Sequence, residues 1–251
     1  MNYGVLRALR GVSHIEDYPV LYSGLANYKS WNTEHHIETG AVERLRRVYN
    51  ESSNVVEYDD LGKGSVRTGG DRNTQRVRRV VSEISKSSAP VHQCQLMYCL
   101  TSAKKPRTVL ELGTCLGISA GYIGLALQNT ETGRLYSIEG ADILAQIARE
   151  TIDQLHLSNT QIRTGSFQSV LPDLLPQIEP IDFVFIDGHH EGDAMTGYFE
   201  LIEPFLAPDC MVLFDDLSWS RDMRSAWNRI KVHPRIRHSV DLVTVGIGLM
   251  R

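Results

Sequence analysis

The 251-residue sequence is poor in cysteine, in long apolar runs and in any excess of one charge. Its four cysteines, Cys94, Cys99, Cys115 and Cys210, are too few and too scattered for a disulfide framework. Cys94 and Cys99 stand five apart on a predicted helix, which suits neither a redox pair nor a zinc knuckle. Reduced, mostly buried thiols in a cytoplasmic protein are therefore expected. No run is long and apolar enough for a membrane helix, and the N-terminal stretch MNYGVLRALRGVSHIEDYP carries scattered charge instead of a signal-peptide pattern. Lys and Arg total 26 against 30 Asp and Glu, a net charge of −4 that offers no general attraction to nucleic acid or to an anionic membrane. With 42% hydrophobic and 22% charged residues, 20 Gly and 9 Pro, the composition excludes collagen-like, low-complexity and wholly disordered chains. A chain of this length can bury a core without staples.

Its character changes near residue 106. Up to 105, apolar residues lie at helical spacing among many charges, which predicts a mainly helical extension or lid. The better helix candidates there are Val42–Tyr49 and Asn73–Ser85. Between them, Asp59-Asp60-Leu61-Gly62-Lys63-Gly64-Ser65 reads as a glycine-punctuated loop, expected to fold over an active site. Arg67, Arg72, Arg76, Arg78, Arg79 and Lys86 outnumber Asp71 and Glu83 nearby; a solvated helix face is the expected reading and a site for an anionic ligand the alternative. From 106 to 251, β-rich runs alternate with amphipathic stretches. Strands are predicted at Thr108–Gly113, Arg134–Gly140, Gln161–Ser166, Ile181–Gly188, Met211–Asp216, Arg235–Leu242 and Val243–Met250. Helices are predicted at Asp142–Leu155 and Gly192–Leu206. Five strand–helix units followed by two consecutive strands predict an α/β fold: a doubly wound, seven-stranded, mostly parallel sheet with an antiparallel ending.

The strongest local signal is Glu111-Leu112-Gly113-Thr114-Cys115-Leu116-Gly117-Ile118-Ser119. An apolar strand ends in an acid, then a glycine-bounded turn, then a helix start. In an open α/β sheet, ligands bind outside the carboxyl ends of the strands, where that turn sits. Glu139, 22 residues after Gly117 and at the end of the second strand, can accept hydrogen bonds from two ribose hydroxyls. Together these imply a nucleoside-containing cofactor. The spacing is G-x-x-x-G and not G-x-G-x-x-G, which disfavours a dinucleotide. A second cluster follows strands four and five: Asp187-Gly188-His189-His190 and Asp215-Asp216-Leu217-Ser218-Trp219. Three carboxylates converging in one crevice repel one another unless a cation or protons intervene, and hard oxygen ligands suit Mg²⁺ or another divalent cation. The alternative, helix capping by Asp187 and by Asp215-Asp216, stays open. Trp219, Met223 and Trp227 recur every four residues, a stripe expected to pack a helix on the core, with Trp219 placed to wall a pocket.

ELGTCLG followed by SIEG resembles the S-adenosylmethionine site of class I methyltransferases, over roughly residues 90–251. The resemblance implies that residues 106–251 form the cofactor-binding domain. Glu111 would lie near the methionyl ammonium, Gly113, Thr114 and Gly117 along the methionine, and Ser119 at the helix start. Glu139 and Gly140 would hold the ribose, and Ser166 and Phe167 would surround the adenine, with Asp187 bordering the cofactor. The acidic cluster is similar to that of small-molecule O-methyltransferases, including catechol and caffeoyl-coenzyme A types, which bind a divalent metal through an Asp and an Asp-Asn pair. Here the pair is Asp215-Asp216. The DGxH form is similar to sugar and macrolide O-methyltransferases and implies His190 as base, beside Asp187. DGHHEGDAMTGYFELIEPF with the upstream DLGKGS also resembles a bacterial branch of the class I enzymes. O-methylation of a small hydroxylated acceptor is the expectation. A nicotinamide-dependent oxidoreductase and a catalytically silent cofactor-binding protein are the rivals; a homodimer is left open.

Overall fold

Residues 18–61 and 75–251 are described by a computed structural model, in which the β-rich runs after residue 106 form one sheet. The N-terminal part supplies α1 (Pro19–Lys29), α2 (Thr33–Glu51), the strands β1 (Val55–Asp60) and β2 (Gln75–Val80), α3 (Val81–Ser87) and α4 (Val91–Lys104). Then follow β3 (Thr108–Leu112), α5 (Ile118–Asn129), β4 (Arg134–Glu139), α6 (Asp142–Gln154), β5 (Thr160–Thr164) and α7 (Phe167–Ile178). The chain closes with β6 (Ile181–Ile186), α8 (Gly192–Ile202), β7 (Leu206–Phe214), α9 (Arg221–Ile230), β8 (Ile236–Asp241) and β9 (Gly246–Met250). The seven-stranded order is β5-β4-β3-β6-β7-β9-β8, parallel except for β9, which runs antiparallel to both of its neighbours. This is the doubly wound sheet with an antiparallel ending that the sequence predicts. The chain leaves β3 toward β4 and β5 on one side and returns to β6 and β7 on the other, so its switch point lies between β3 and β6.

Strand periodicity divides the core in two. Val109, Phe183, Phe185 and Leu213 face one layer, packed with Leu21, Met97, Leu100 and Ile123 from the helices before and after β3. Leu110, Val184, Ile186 and Phe214 face the other, packed with Leu171, Phe199 and Trp227. Each fully buried Phe or Leu is worth roughly 1.5–3 kcal/mol of transfer free energy. The N-terminal helices therefore share a core with the sheet.

Two local expectations are corrected. Asn73–Ser85, read as a helix, is strand β2 followed by helix α3; positions 73 and 74 lie outside the described residues. The reason is its partner. In the antiparallel register, Arg78 stands opposite Glu57 and Arg76 opposite Asp59, with ion pairs of 3.7 and 3.9 Å. Such exposed pairs add only a few tenths of a kcal/mol each, but they set cross-strand charge complementarity. Arg67 and Arg72 lie outside the described residues. The second correction concerns the aromatic stripe. Ser220 caps α9 by accepting a hydrogen bond from the Met223 amide, so Trp219 precedes the helix. Met223 and Trp227 are buried, whereas Trp219 is 65% exposed. All four cysteines are free thiols, three of them buried. Among the described residues, no helix is long and apolar enough to cross a membrane.

Trp227 is fully buried, 5.5 Å from Phe214 and tight against the backbone of Gly246. Trp227→Ala should cost about 3–5 kcal/mol and lower the melting temperature by about 6–20 °C. A calorimetric scan that found less than one degree of change would remove Trp227 from the core.

Candidate active site

The turn after β3 exists because two strand exits touch. Gly113 has φ +99°, and a Cβ there would stand 1.8 Å from the carbonyl oxygen of Asp187 at the exit of β6. Gly117, at φ +81°, packs its bare Cα against the backbone of Ala148 on α6. Between them Cys115 takes a left-handed φ of 51° and aims its amide at Glu139, donating to Oε2 at 2.8 Å. The Ala141 amide donates to Oε1 of the same carboxylate at 2.9 Å. Glu139 thus ties the end of β4 to the glycine turn. Burial raises its pKa, opposed by those amides. Each carboxylate oxygen retains a second lone pair for a ligand.

These exits wall a cavity of about 310 Å³ at the switch point, within the usual range for small-molecule sites. Gly113, Thr114, Ser119, Glu139, Gly140, Ser166, Phe167 and Asp187 all border it, as do His190, Asp215 and Asp216. Gly117 and Glu111 do not. Glu111 is fully buried beneath the turn, where Ser137 Oγ donates to its Oε2 at 2.5 Å and burial pushes its carboxyl up to about 7. Thr114 Oγ1 lies 2.5 Å from Ser137 Oγ, so its side chain extends this buried chain and its backbone is left for the cavity. Ser166 caps α7 at Ser169, and Phe167 packs edge-on to Tyr198 at 5.1 Å.

At the other end, one carboxylate oxygen each from Asp187, Asp215 and Asp216 lies within 4.8 Å of the others. Burial, then the mutual repulsion of the three, raises Asp187 well above the carboxylate range and Asp215 to about 7. Such a cluster is relieved by protons or by a hard divalent cation, and all-oxygen donors at this spacing fit the latter. Asp215 and Asp216 do not cap α9, which Ser220 caps.

Both adjacent histidines border the cavity, although the sequence gives a role to His190 alone. His190 Nδ1 is 2.8 Å from Asp216 Oδ2, its ring stacks on Trp219 at 4.7 Å, and the Asp216 hydrogen bond raises its pKa. His189 is buried: Nδ1 lies 3.0 Å from the Tyr198 hydroxyl and Nε2 2.5 Å from the Leu61 carbonyl oxygen. Leu61 also rests its side chain on Gly140, where an added Cβ would meet it at 2.8 Å. The described start of the predicted loop, Asp59 to Leu61, therefore forms part of the cavity wall; Gly62 to Ser65 lie outside the described residues. Sequence reasoning missed Tyr58, Ser88 and Gln93 as wall residues, and no motif in the sequence marks them; His189 lies within the Asp187–His190 motif but was given no role.

Residues 110–217 match a family model described as a methyltransferase domain. The chain is 30% identical over 139 residues to an uncharacterized protein, R132, of Acanthamoeba polyphaga mimivirus, covering 52% of this chain and 62% of that one. It is 28% identical over 147 residues to the O-methyltransferase hkm8 of Aspergillus hancockii, covering 57% and 55% respectively. The chain thus spans about three fifths of the curated relatives it matches. The structure superposes on an O-methyltransferase from Bacillus cereus in complex with SAH, with a TM-score of 0.59 and 22% identity, covering 68% of this chain and 86% of that one.

Burial of Glu111 has a measurable consequence. Its folded pKa of about 7 exceeds the unfolded value near 4.3, so its protonated form is favoured in the native state. Stability tied to that proton is complete below the unfolded value and is lost as pH rises through the folded one. Between pH 5 and 8 the ligand-free protein should lose about 2–3 kcal/mol relative to Glu111→Gln, read by urea unfolding. Parallel pH profiles for the two would show that Glu111 is already ionised at pH 5.

Proposed function

We propose that this chain, whose residues 110–217 match a methyltransferase-domain family model, transfers a methyl group from S-adenosylmethionine to an oxygen of a small hydroxylated molecule, with a divalent cation in the acidic cluster. The observation that carries the reading is the meeting, in one cavity, of the glycine turn braced by Glu139 and the cluster of Asp187, Asp215 and Asp216. The solved neighbour holding SAH and the curated O-methyltransferase relative support it.

When bound, S-adenosylmethionine supplies a methyl group already activated on a sulfonium. The task left to the protein is to aim an oxygen at that carbon, in line and within about 3–3.5 Å. Glu139 and Gly140 take the ribose side of the cavity, Ser166 and Phe167 the adenine side, and Gly113 to Ser119 the methionine side. Glu111 stands beneath that turn and acts on it through Ser119 and Ser137. Asp187, Asp215 and Asp216 would hold the cation, which lowers the pKa of a coordinated hydroxyl. His190 is the base. Asp216 accepts its Nδ1–H, so the neutral ring offers Nε2 to take the acceptor's proton. As the new C–O bond forms the C–S bond breaks, and the proton leaves on His190.

Tritiated S-adenosylmethionine incubated with a panel of phenols, sugars and polyketide alcohols, with Mg²⁺ and with EDTA, tests the reaction. Label transfer to an oxygen is the expected result, and its loss in EDTA is expected if the cation takes part. Glu139→Ala should weaken cofactor binding about 10-fold or more, because hydrogen bonds to a carboxylate are worth about 1.5–3 kcal/mol. Unchanged affinity in calorimetry would remove the ribose assignment.

A further inference from the structure

Gln93 lies in the first turn of α4, ahead of the residues that match the methyltransferase domain. It is 5% exposed, yet it borders the main cavity. Its other side closes a small void of about 10 Å³ walled by Tyr28, Leu242 and Val245. The helix that carries it is fixed on the sheet by Cys94, Met97 and Leu100, all fully buried, so the backbone of Gln93 is held in place.

The Gln93 amide nitrogen is buried and makes no hydrogen bond of good geometry. It borders the same cavity as Asp215, the buried carboxylate of the acidic cluster. A buried amide without an acceptor costs roughly 1–3 kcal/mol. Met would fill nearly the same volume without that cost. Asp215 already accepts a hydrogen bond from the Asp216 amide at 2.7 Å. A second, side-chain donor would fix the plane of that carboxylate.

We infer that Gln93 is a positioning residue for the cation cluster: its Nε2–H group donates to Asp215 and holds that carboxylate turned toward Asp187 and Asp216. The inference rests on the proposed cation site, and it ties that site to a helix outside the matched domain. Donors to metal-binding carboxylates change affinity about 10–100-fold when removed.

Mn²⁺ is the probe, with free ion followed by electron paramagnetic resonance as it is titrated into the full chain. The wild type should bind one Mn²⁺, and Asp215→Ala should abolish binding. Gln93→Met should weaken binding about 10-fold or more, with no fall in melting temperature in EDTA. Gln93→Asn, which keeps the amide but shortens its reach, should fall between; it carries the comparison if the Met variant does not fold. Mn²⁺ affinity within twofold of wild type in Gln93→Met and Gln93→Asn, with Asp215→Ala still silent, would overturn the inference and leave the cation site standing. No Mn²⁺ binding by the wild type would overturn the cation site and the inference with it.

Discussion

The contact between Gly113 and the Asp187 carbonyl is the constraint on which the site depends. Any side chain at Gly113 would occupy the space of that carbonyl, and its φ of +99° is a conformation that L side chains rarely adopt. With the contact made, the strand exits end in step. The Gly113 and Thr114 amides donate to Ile138, the Asp187 amide to Leu112, and the Asp215 amide to Ile186. Four neighbouring strands thus deliver Gly113, Glu139, Asp187 and Asp215 to one level of the switch point. A backbone built this way places polar groups without relying on flexible loops.

That arrangement concentrates negative charge. Glu111, Glu139, Asp187 and Asp215 all have raised pKa values, with burial as the leading cause of each. A fold that only needed caps would not bury so many acids within reach of one another. The proposed ligands would answer this with positive charge: a sulfonium and an ammonium at the glycine turn, and a divalent cation at the far end. Within the protein, His190 Nδ1 lies 2.8 Å from Asp216 Oδ2 and so partners one acid of that cluster.

Much of this was legible in the sequence, for physical reasons. The sheet strands are apolar, β-rich and bounded by turn residues, and Gly113, Gly117 and Glu139 follow from the needs of a strand–turn–helix crossover. The hairpin was not legible, because Arg76 and Arg78 meet Asp59 and Glu57 only through a pairing remote in sequence. A run rich in arginine reads locally as a helix face. Glu111 and Glu139 look alike as strand-end acids, but β3 is central and sealed while β4 opens on the cavity, so one is buried in the floor and the other lines the wall. Tyr58, Ser88 and Gln93 have no local signature at all; their place comes from the packing of the N-terminal segment on the sheet.

The most direct test is an anomalous difference map from crystals grown with S-adenosylhomocysteine and Mn²⁺. The account predicts the nucleoside in the switch-point cavity with its ribose hydroxyls on Glu139, and one Mn²⁺ peak among Asp187, Asp215 and Asp216. Nucleoside density outside that cavity, or a manganese peak bound elsewhere with the three aspartates bare, would contradict it.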